Sequence, residues 1–348
     1  MLDYIIVGSG IAGVCFAETA LQNNKTILVL DDSSQNSSQI AGGLYNPVIL
    51  KRFSEVPNAL EQITLLESFY KAIETKLDTQ IDYKIPILRK FFSIEEQNNW
   101  FAASDKPNLS PFLSLDLIDK KYDGIQSPFG YGEVLQTGYV DTAALISNYR
   151  TYLNSQHLFQ NETFDYNALQ AEDDYIQYKN AKAKHIIFAE GFGIHSNPFF
   201  SHLPLDGTKG ELLILKSPNL NLDVIINTSV FILPLGNDLF KVGATYDWKD
   251  KTNQPTEAGK QELIDRIDEI LDCDYEIIDH FAGVRPTVRD RRPLIGTHQD
   301  SNRIHILNGL GTRGVMLGPF LAKMLFENIE YAKPIPRDSD IQRFDKKK

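Results

Sequence analysis

Three groups of residues in this chain are of types and spacings that could do chemistry together. The first is Gly8-x-Gly10-x-x-Gly13, where Gly8, Gly10, Ile11, Ala12 and Gly13 lie between an apolar run, Leu2 to Val7, and a helix-compatible stretch reaching Asn24. A second apolar run, Thr26 to Leu30, then ends in Asp31 and Asp32. Strand, glycine turn, helix and strand with an acid about 20 residues on form the dinucleotide-binding fingerprint. Gly8 permits the turn, Gly10 lets backbone approach a diphosphate, and Gly13 lets helix and strand pack closely. The phosphates then sit at the positive end of the helix, and Asp31 accepts from a ribose diol. The plain alternative is an ordinary packing turn between two strands and a helix.

The second group, Asn308-Gly309-Leu310-Gly311-Thr312-Arg313-Gly314, sits between a short strand, Ile304 to Leu307, and a last apolar helix. One dinucleotide needs one diphosphate turn, so this second turn has another use. A helix start aimed at the pyrimidine edge of a flavin would stabilise the negative charge that develops there on reduction, which favours FAD over NAD. Otherwise Gly309, Gly311 and Gly314 simply shape a tight helix entry. The third group is cationic and phenolic. Arg285 either meets a substrate anion or pairs with a core carboxylate. Arg313 would lie near the flavin face. Tyr45 and Tyr246 either offer hydroxyls to a substrate or pack in the core or rim. Arg289, Arg291 and Arg292 beside Asp290 read as a solvated, salt-bridged turn.

Two further stretches could line the same ligand. Small residues in Ala41-Gly42-Gly43-Leu44 let a loop lie flat against a planar group, or serve as a flexible connector. Ala189-x-Gly191 ends the buried-type strand beginning at His185, as a ligand crossing the top of a parallel sheet requires, or marks a simple strand-ending turn.

The elements that must position these residues follow from periodicity. Apolar residues recurring at three and four predict a helix over 56–80 and another over 257–271. Asp141 is placed to cap a helix running to Ser155. Strand character marks 83–92, 162–169, 175–178, 185–191, 209–215 and 230–246, and a short helix is expected over 95–103. The 230–246 stretch should turn at Gly236-Asn237-Asp238. We expect an α/β fold: a discontinuous Rossmann-like dinucleotide-binding domain from 1–80, 138–200 and 280–348, and a mostly antiparallel α+β substrate domain from 81–137 and 201–279.

Composition narrows the class. The 348 residues carry a net charge of -11, which argues against broad contact with nucleic acid or anionic membranes. No run long enough to span a bilayer and no basic export signal is present, so a cytoplasmic location is expected. Cys15 and Cys273 exclude a disulfide scaffold, Cys15 reads as a packing residue, and the histidines lack metal-ligand spacing, His185 being structural. Lys346 to Lys348 read as a solvated end.

Taken in order, these motifs resemble the D-amino-acid oxidase-like family of FAD-dependent oxidoreductases, which includes glycine and sarcosine oxidases. The likeness is carried by the first glycine turn with Asp31, Ala41-Gly42-Gly43, Gly138-Tyr139-Val140-Asp141, Ala189-x-Gly191, Leu233-Pro234 through Val242-Gly243-Ala244-Thr245, Gly283-Val284-Arg285-Pro286 with Pro293-x-x-Gly296, and the C-terminal glycine loop. Ala282-Gly283-Val284-Arg285 with Arg289-Asp290 and Pro293, and Leu310-Gly311-Thr312-Arg313-Gly314, are most similar to the oxidoreductase half of the bifunctional enzyme that makes a methylaminomethyl-thiouridine of tRNA. That enzyme's methyltransferase half is absent, and Leu235 stands where many members have an arginine after proline. No cysteine lies near the C-terminal loop, so the implied FAD is non-covalent. The resemblance implies oxidation of a C–H bond next to an amine, with hydride passing to flavin N5 and hydrolysis of the imine. It places Arg285 as the carboxylate anchor. Three functions follow as expectations: an oxidase or dehydrogenase of a small amine or amino acid, removal of a carboxymethyl group from a tRNA uridine, or an FAD-binding module without turnover. The oligomeric state is left open.

Overall fold

In the computed structural model, which describes residues 1–345, the first strand, Leu2–Val7, lies between two parallel neighbours. Ile27–Asp31 pairs on one side and Ala181–Phe188 on the other, with Val7 opposite both Leu30 and Phe188. Phe159–Asn161 and Ile304–Asn308 extend the parallel set outward, and Leu294–Thr297 closes one edge antiparallel. Lys346 to Lys348, expected to be a solvated end, lie outside the described residues.

The first strand alternates cleanly between two cores. Tyr4 and Ile6 face a cluster with Phe16, Leu321 and Leu325 from the first and last helices, while Ile5 and Val7 face one with Phe188, Phe200 and Ile306. A parallel sheet covered on both faces needs such uninterrupted apolar strands. The helices on one face, Ile11–Gln22 and Gly314–Tyr331, are packed against each other. Pro319 lies inside the second of these and has no N–H to offer the Val315 carbonyl. The buried Tyr70 hydroxyl donates to that carbonyl instead, at 2.8 Å.

A second sheet runs in the order 276–285, 208–216, 239–243, 231–236, 225–227, 87–90, 131–134 and 113–118, and is antiparallel except where 225–227 meets 87–90. Helix Glu257–Asp268 covers one face through Leu263 and Ile267, which pack with Leu213, Leu215 and Val242. All of its strands but one fall within 81–137 and 201–279. The exception, Glu276–Arg285, crosses position 280 because it pairs along the whole of Thr208–Lys216.

Several local expectations meet the structure directly. Asp141 caps its helix by accepting from the Ala144 amide at 3.0 Å. The hairpin turns at Asn237 and Asp238, both at positive φ, as a primed turn needs. Two strands differ. The 83–92 stretch is broken by Pro86 into Asp82–Lys84, in a small three-stranded sheet, and Ile87–Lys90, in the second sheet. The 162–169 stretch is not a strand: Asp165 accepts from the Asn167 amide and winds Tyr166–Ala168 into a short 3-10 turn. No helix among the described residues is long and apolar enough to cross a membrane.

His185 is structural. It stacks on Tyr4 and contacts His305 at 3.0 Å, and His305 in turn meets the Thr297 hydroxyl at 2.9 Å. Burial, with the nearby Arg303 charge, pushes His185 down to about 4, and burial beside His185 holds His305 well below the ordinary histidine range. The unfolded chain takes up these protons near pH 6.5 and the folded one does not, so their contribution is intact above that pH and lost as pH falls toward 4. Thermal melting midpoints are expected to drop between pH 7 and pH 5 and to drop less in a His185→Phe variant; parallel curves for the two proteins would show the pair to be silent.

Candidate active site

A cavity of about 500 Å³ opens where the carboxyl ends of the parallel strands face the second sheet. The first glycine turn forms one of its walls. Gly8, Gly10, Ile11 and Ala12 line it, and the helix they begin has Gly10, which offers no side chain, at its N-cap, with only the Ile11 amide met by a side chain, Ser38 Oγ at 3.2 Å. Gly13 does not line the cavity and works from behind, since a Cβ there would lie 1.9 Å from the Gly8 carbonyl oxygen. The first turn of the helix is thereby seated directly on the strand end, with its amides aimed into the cavity.

The C-terminal turn reaches the same cavity. Gly311, Thr312 and Gly314 line it, and the helix Gly314–Tyr331 also starts without a side-chain cap. Ala41, Gly42, Gly43 and Leu44 contribute a third wall, and Ala189 and Gly191 a fourth. Gly309 is outside the lining: it bends the chain at φ 73° against Val288 and Leu294. Arg313 occupies the N-cap of the last helix, but its side chain is not part of the lining, and its Nη1 is buried with no hydrogen-bond partner. Asp31 and Asp32 both line the cavity, with their carboxylates already engaged. Asp31 accepts from the Ser9 and Ser33 amides and from Arg150, and Asp32 from Ser34 and Thr163.

Arg285 comes from the second sheet. Its guanidinium donates to the Thr245 carbonyl at 3.2 Å and lies 4.6 Å from the centre of the Tyr246 ring. Gly210, on the neighbouring strand, makes the room, for a Cβ there would fall 1.9 Å from Nη2. No carboxylate pairs with Arg285 among the described residues, so pairing with a core acid is set aside. Burial pulls its proton affinity down and the Tyr246 ring partly offsets this. A half-buried cation without an anion favours recruiting one. Tyr246 shares the lining and remains 58% exposed.

Tyr45 is a correction. Offered as a possible substrate contact, it is 1% exposed, donates to Asp82 at 2.8 Å, and does not line the cavity. Its strand pairs with Gly138–Val140, which turns the side chain into the core. Two residues the sequence reading passed over matter here. Arg150 bonds to Asp31 from a separate helix, and no local pattern announces it. Glu190 is the middle residue of Ala189-x-Gly191; it lines the cavity, accepts from Asn197 at 2.7 Å and from Tyr166, and burial pushes it up to about 7. A charge at the end of an apolar strand was the available signal.

Two helix starts with free amides, a close strand-to-helix turn and a flat glycine loop around one cavity define a dinucleotide-binding protein. A family model described as FAD dependent oxidoreductase (DAO) matches residues 3–328, and the chain belongs to that family. FAD is its cofactor, and the residues fit it: the helix amides beyond that of Ile11, which donates to Ser38 Oγ, suit the anionic diphosphate and pyrimidine edge, and neither cysteine lines the cavity to tether a flavin.

Among curated proteins, the chain is 21% identical to the bifunctional tRNA 5-methylaminomethyl-2-thiouridine biosynthesis protein of Marinobacter nauticus over 93% of its own length and 55% of that protein's. It is 21% identical to glycine oxidase of Bacillus subtilis, covering 94% of this chain and 92% of the other. The chain thus spans about half the length of the bifunctional relative. Among solved structures it is similar to glycine oxidase from Geobacillus kaustophilus (TM-score 0.75, 16% identity, 96% of this chain and 95% of that one). Iminodiacetate oxidase from Chelativorans sp. BNC1 gives a TM-score of 0.74 at 17% identity, with 97% and 98% covered. These likenesses show the shared fold.

A Gly13→Ala chain cannot keep the strand-to-helix contact. It is expected to lose about 1–3 kcal/mol of stability, as overpacking does, and to purify with little flavin. Tyr45→Phe is expected to cost about 1 kcal/mol and leave flavin content and turnover unchanged. Denaturant melts and the flavin-to-protein ratio check both; a fully loaded Gly13→Ala protein would place the diphosphate elsewhere.

Proposed function

We propose that this chain oxidises a C–H bond next to an amine in a small substrate carrying a carboxylate, an amino acid or an N-substituted glycine. One observation carries the reading: Arg285 is half-buried, holds no protein carboxylate among the described residues, and lines the cavity that the two glycine turns share. Bound FAD supplies the hydride acceptor. Arg285 would fix the carboxylate by paired hydrogen bonds, so that the adjacent carbon is held in one place rather than sampled. Leu212, Phe231 and Leu44 wall this region with apolar surface, which strengthens the charge pair by keeping water out.

The lining contains no histidine among the described residues, and its acids belong to the ends of the parallel strands and the segment beside them, not to the second sheet that carries Arg285. The chain therefore offers no base beside Arg285, and the amine must lose its proton before or during binding. An FAD-binding module without turnover would have protein side chains filling this region; a cavity of about 500 Å³ reaches Arg285 instead.

A second reading, removal of a carboxymethyl group from a modified tRNA uridine, is supported by the solvent face of the mouth. Tyr246 lines the cavity and is 58% exposed, and an exposed aromatic can stack an unpaired base. The net charge of -11 weighs against it, and we rank it second.

Arg285→Ala is expected to keep its flavin and to lose about 2–5 kcal/mol in kcat/KM toward carboxylate substrates, the range for breaking a desolvated charge pair. Reduction of the flavin under anaerobic conditions by glycine, sarcosine, other N-substituted glycines and D-amino acids, with modified tRNA as a further arm, measures this. Activity on amines lacking a carboxylate should be unaffected by the substitution. Equal losses on both substrate kinds would remove Arg285 from carboxylate binding. With wild type, kcat/KM should rise with pH along the ionisation of whichever amine is used.

A further inference from the structure

The cations that answer the charges at one end of the cavity, Arg150 and Lys179, both stand outside its lining. Asp31, Asp32, Glu162 and Glu190 all line that end, whereas the single lining arginine, Arg285, stands on the second sheet, and the lining has no lysine among the described residues. A diphosphate at the start of the first helix would lie among like charges, and in a partly dry cleft their repulsion is stronger than in water.

Each acid is answered differently. Asp32 accepts from the Ser34 amide and the Thr163 hydroxyl, both at 2.9 Å. Glu162 pairs with Lys179 at 3.0 Å. Glu190 accepts from Tyr166 and Asn197, and burial raises it to about 7 so that it holds its proton more tightly than an ordinary carboxyl. Asp31 takes the Ser9 amide at 2.6 Å, the Ser33 amide at 2.7 Å and Arg150 Nη2 at 2.9 Å. Arg150 reaches in from helix Thr142–Ser155 and spends its other donors on the same two segments, Nε on the Ser9 hydroxyl at 2.6 Å and Nη1 on the Ser33 hydroxyl at 2.8 Å. One planar guanidinium thus joins the glycine turn, the acid ending the second strand and the loop after it.

We propose that Arg150 is a positioning residue for the cofactor, neutralising Asp31 and locking the diphosphate turn to the ribose acid so that FAD meets a preassembled wall in which that acid's charge is already answered. The inference rests on FAD binding and is independent of which substrate is oxidised. Removing Arg150 leaves Asp31 as an uncompensated charge facing the diphosphate, so the effect exceeds the loss of three hydrogen bonds.

Flavin-free protein prepared from the holoenzyme can be titrated with FAD and separately with riboflavin, which lacks diphosphate and adenosine, with affinity read from flavin fluorescence. Arg150→Met is expected to weaken FAD binding by about 30-fold or more, the low end for removing one partner of a desolvated charge pair. Riboflavin binding should stay within about threefold of wild type, the scale of an uninvolved substitution. Arg150→Lys, which keeps the charge, should recover part of the loss, and Asp31→Asn in the Arg150→Met background should bind FAD more tightly than Arg150→Met alone. An unchanged FAD affinity in Arg150→Met, an equal loss for riboflavin, or a double variant weaker than Arg150→Met would each overturn the proposal. Should Arg150→Met fail to fold, Arg150→Lys decides alone: a selective loss of FAD over riboflavin supports it, and equal losses overturn it.

Discussion

Two helices begin at one cavity with most of their first amides unmet, Ser38 accepting only from that of Ile11, and the amides left over favour an anion. Most helices satisfy these donors with serine, threonine, aspartate or asparagine at the N-cap. Here Gly10 and Arg313 occupy those positions, neither helix has an acid in its first turn, and the lining residues of both turns carry no charge. The rest of the structure follows from holding the two starts at a fixed separation. The first is seated by the contact of Gly13 with Gly8, and the last is packed along the first. Both are also tied to the parallel sheet, the first through its own strand and the last through Ile304–Asn308. One dinucleotide with an anionic middle and an electron-rich edge answers both.

The cavity is electrically uneven along its length. Its strand-end region holds four carboxyl groups, two paired with a cation and two held by neutral hydrogen-bond donors, and the second-sheet region holds one half-buried cation without an acid. The unevenness separates two jobs. Carboxylates and their partners organise the neutral adenosine half, while Arg285 waits for a charge that the protein does not provide. Gly210 shows how closely the second sheet is built around that arginine, since any side chain at that position would displace the guanidinium.

The parts legible in the sequence were those set by local rules. The glycine spacing, the Asp141 cap and the Asn237–Asp238 hairpin each depend on residues within a few positions of one another, and each is found as read. Tyr45 and Arg150 show why the rest was not. Whether a tyrosine faces a ligand or the core depends on the register of its strand against a partner nearly a hundred residues away, and the Tyr45 strand pairs so as to bury it. Arg150 lies on the exposed-looking polar face of an amphipathic helix, and only the fold reveals that Asp31 waits across from it. The failed strand at 162–169 was lost to a side chain, Asp165, competing for a backbone amide, a contest that periodicity does not register.

The direct test is the identity and amount of flavin carried by the purified protein. If one ligand satisfies both helix starts, the protein is yellow, and heating releases FAD in a one-to-one ratio with the chain. A protein that is colourless, and that gains no flavin spectrum after incubation with FAD, would contradict the reading.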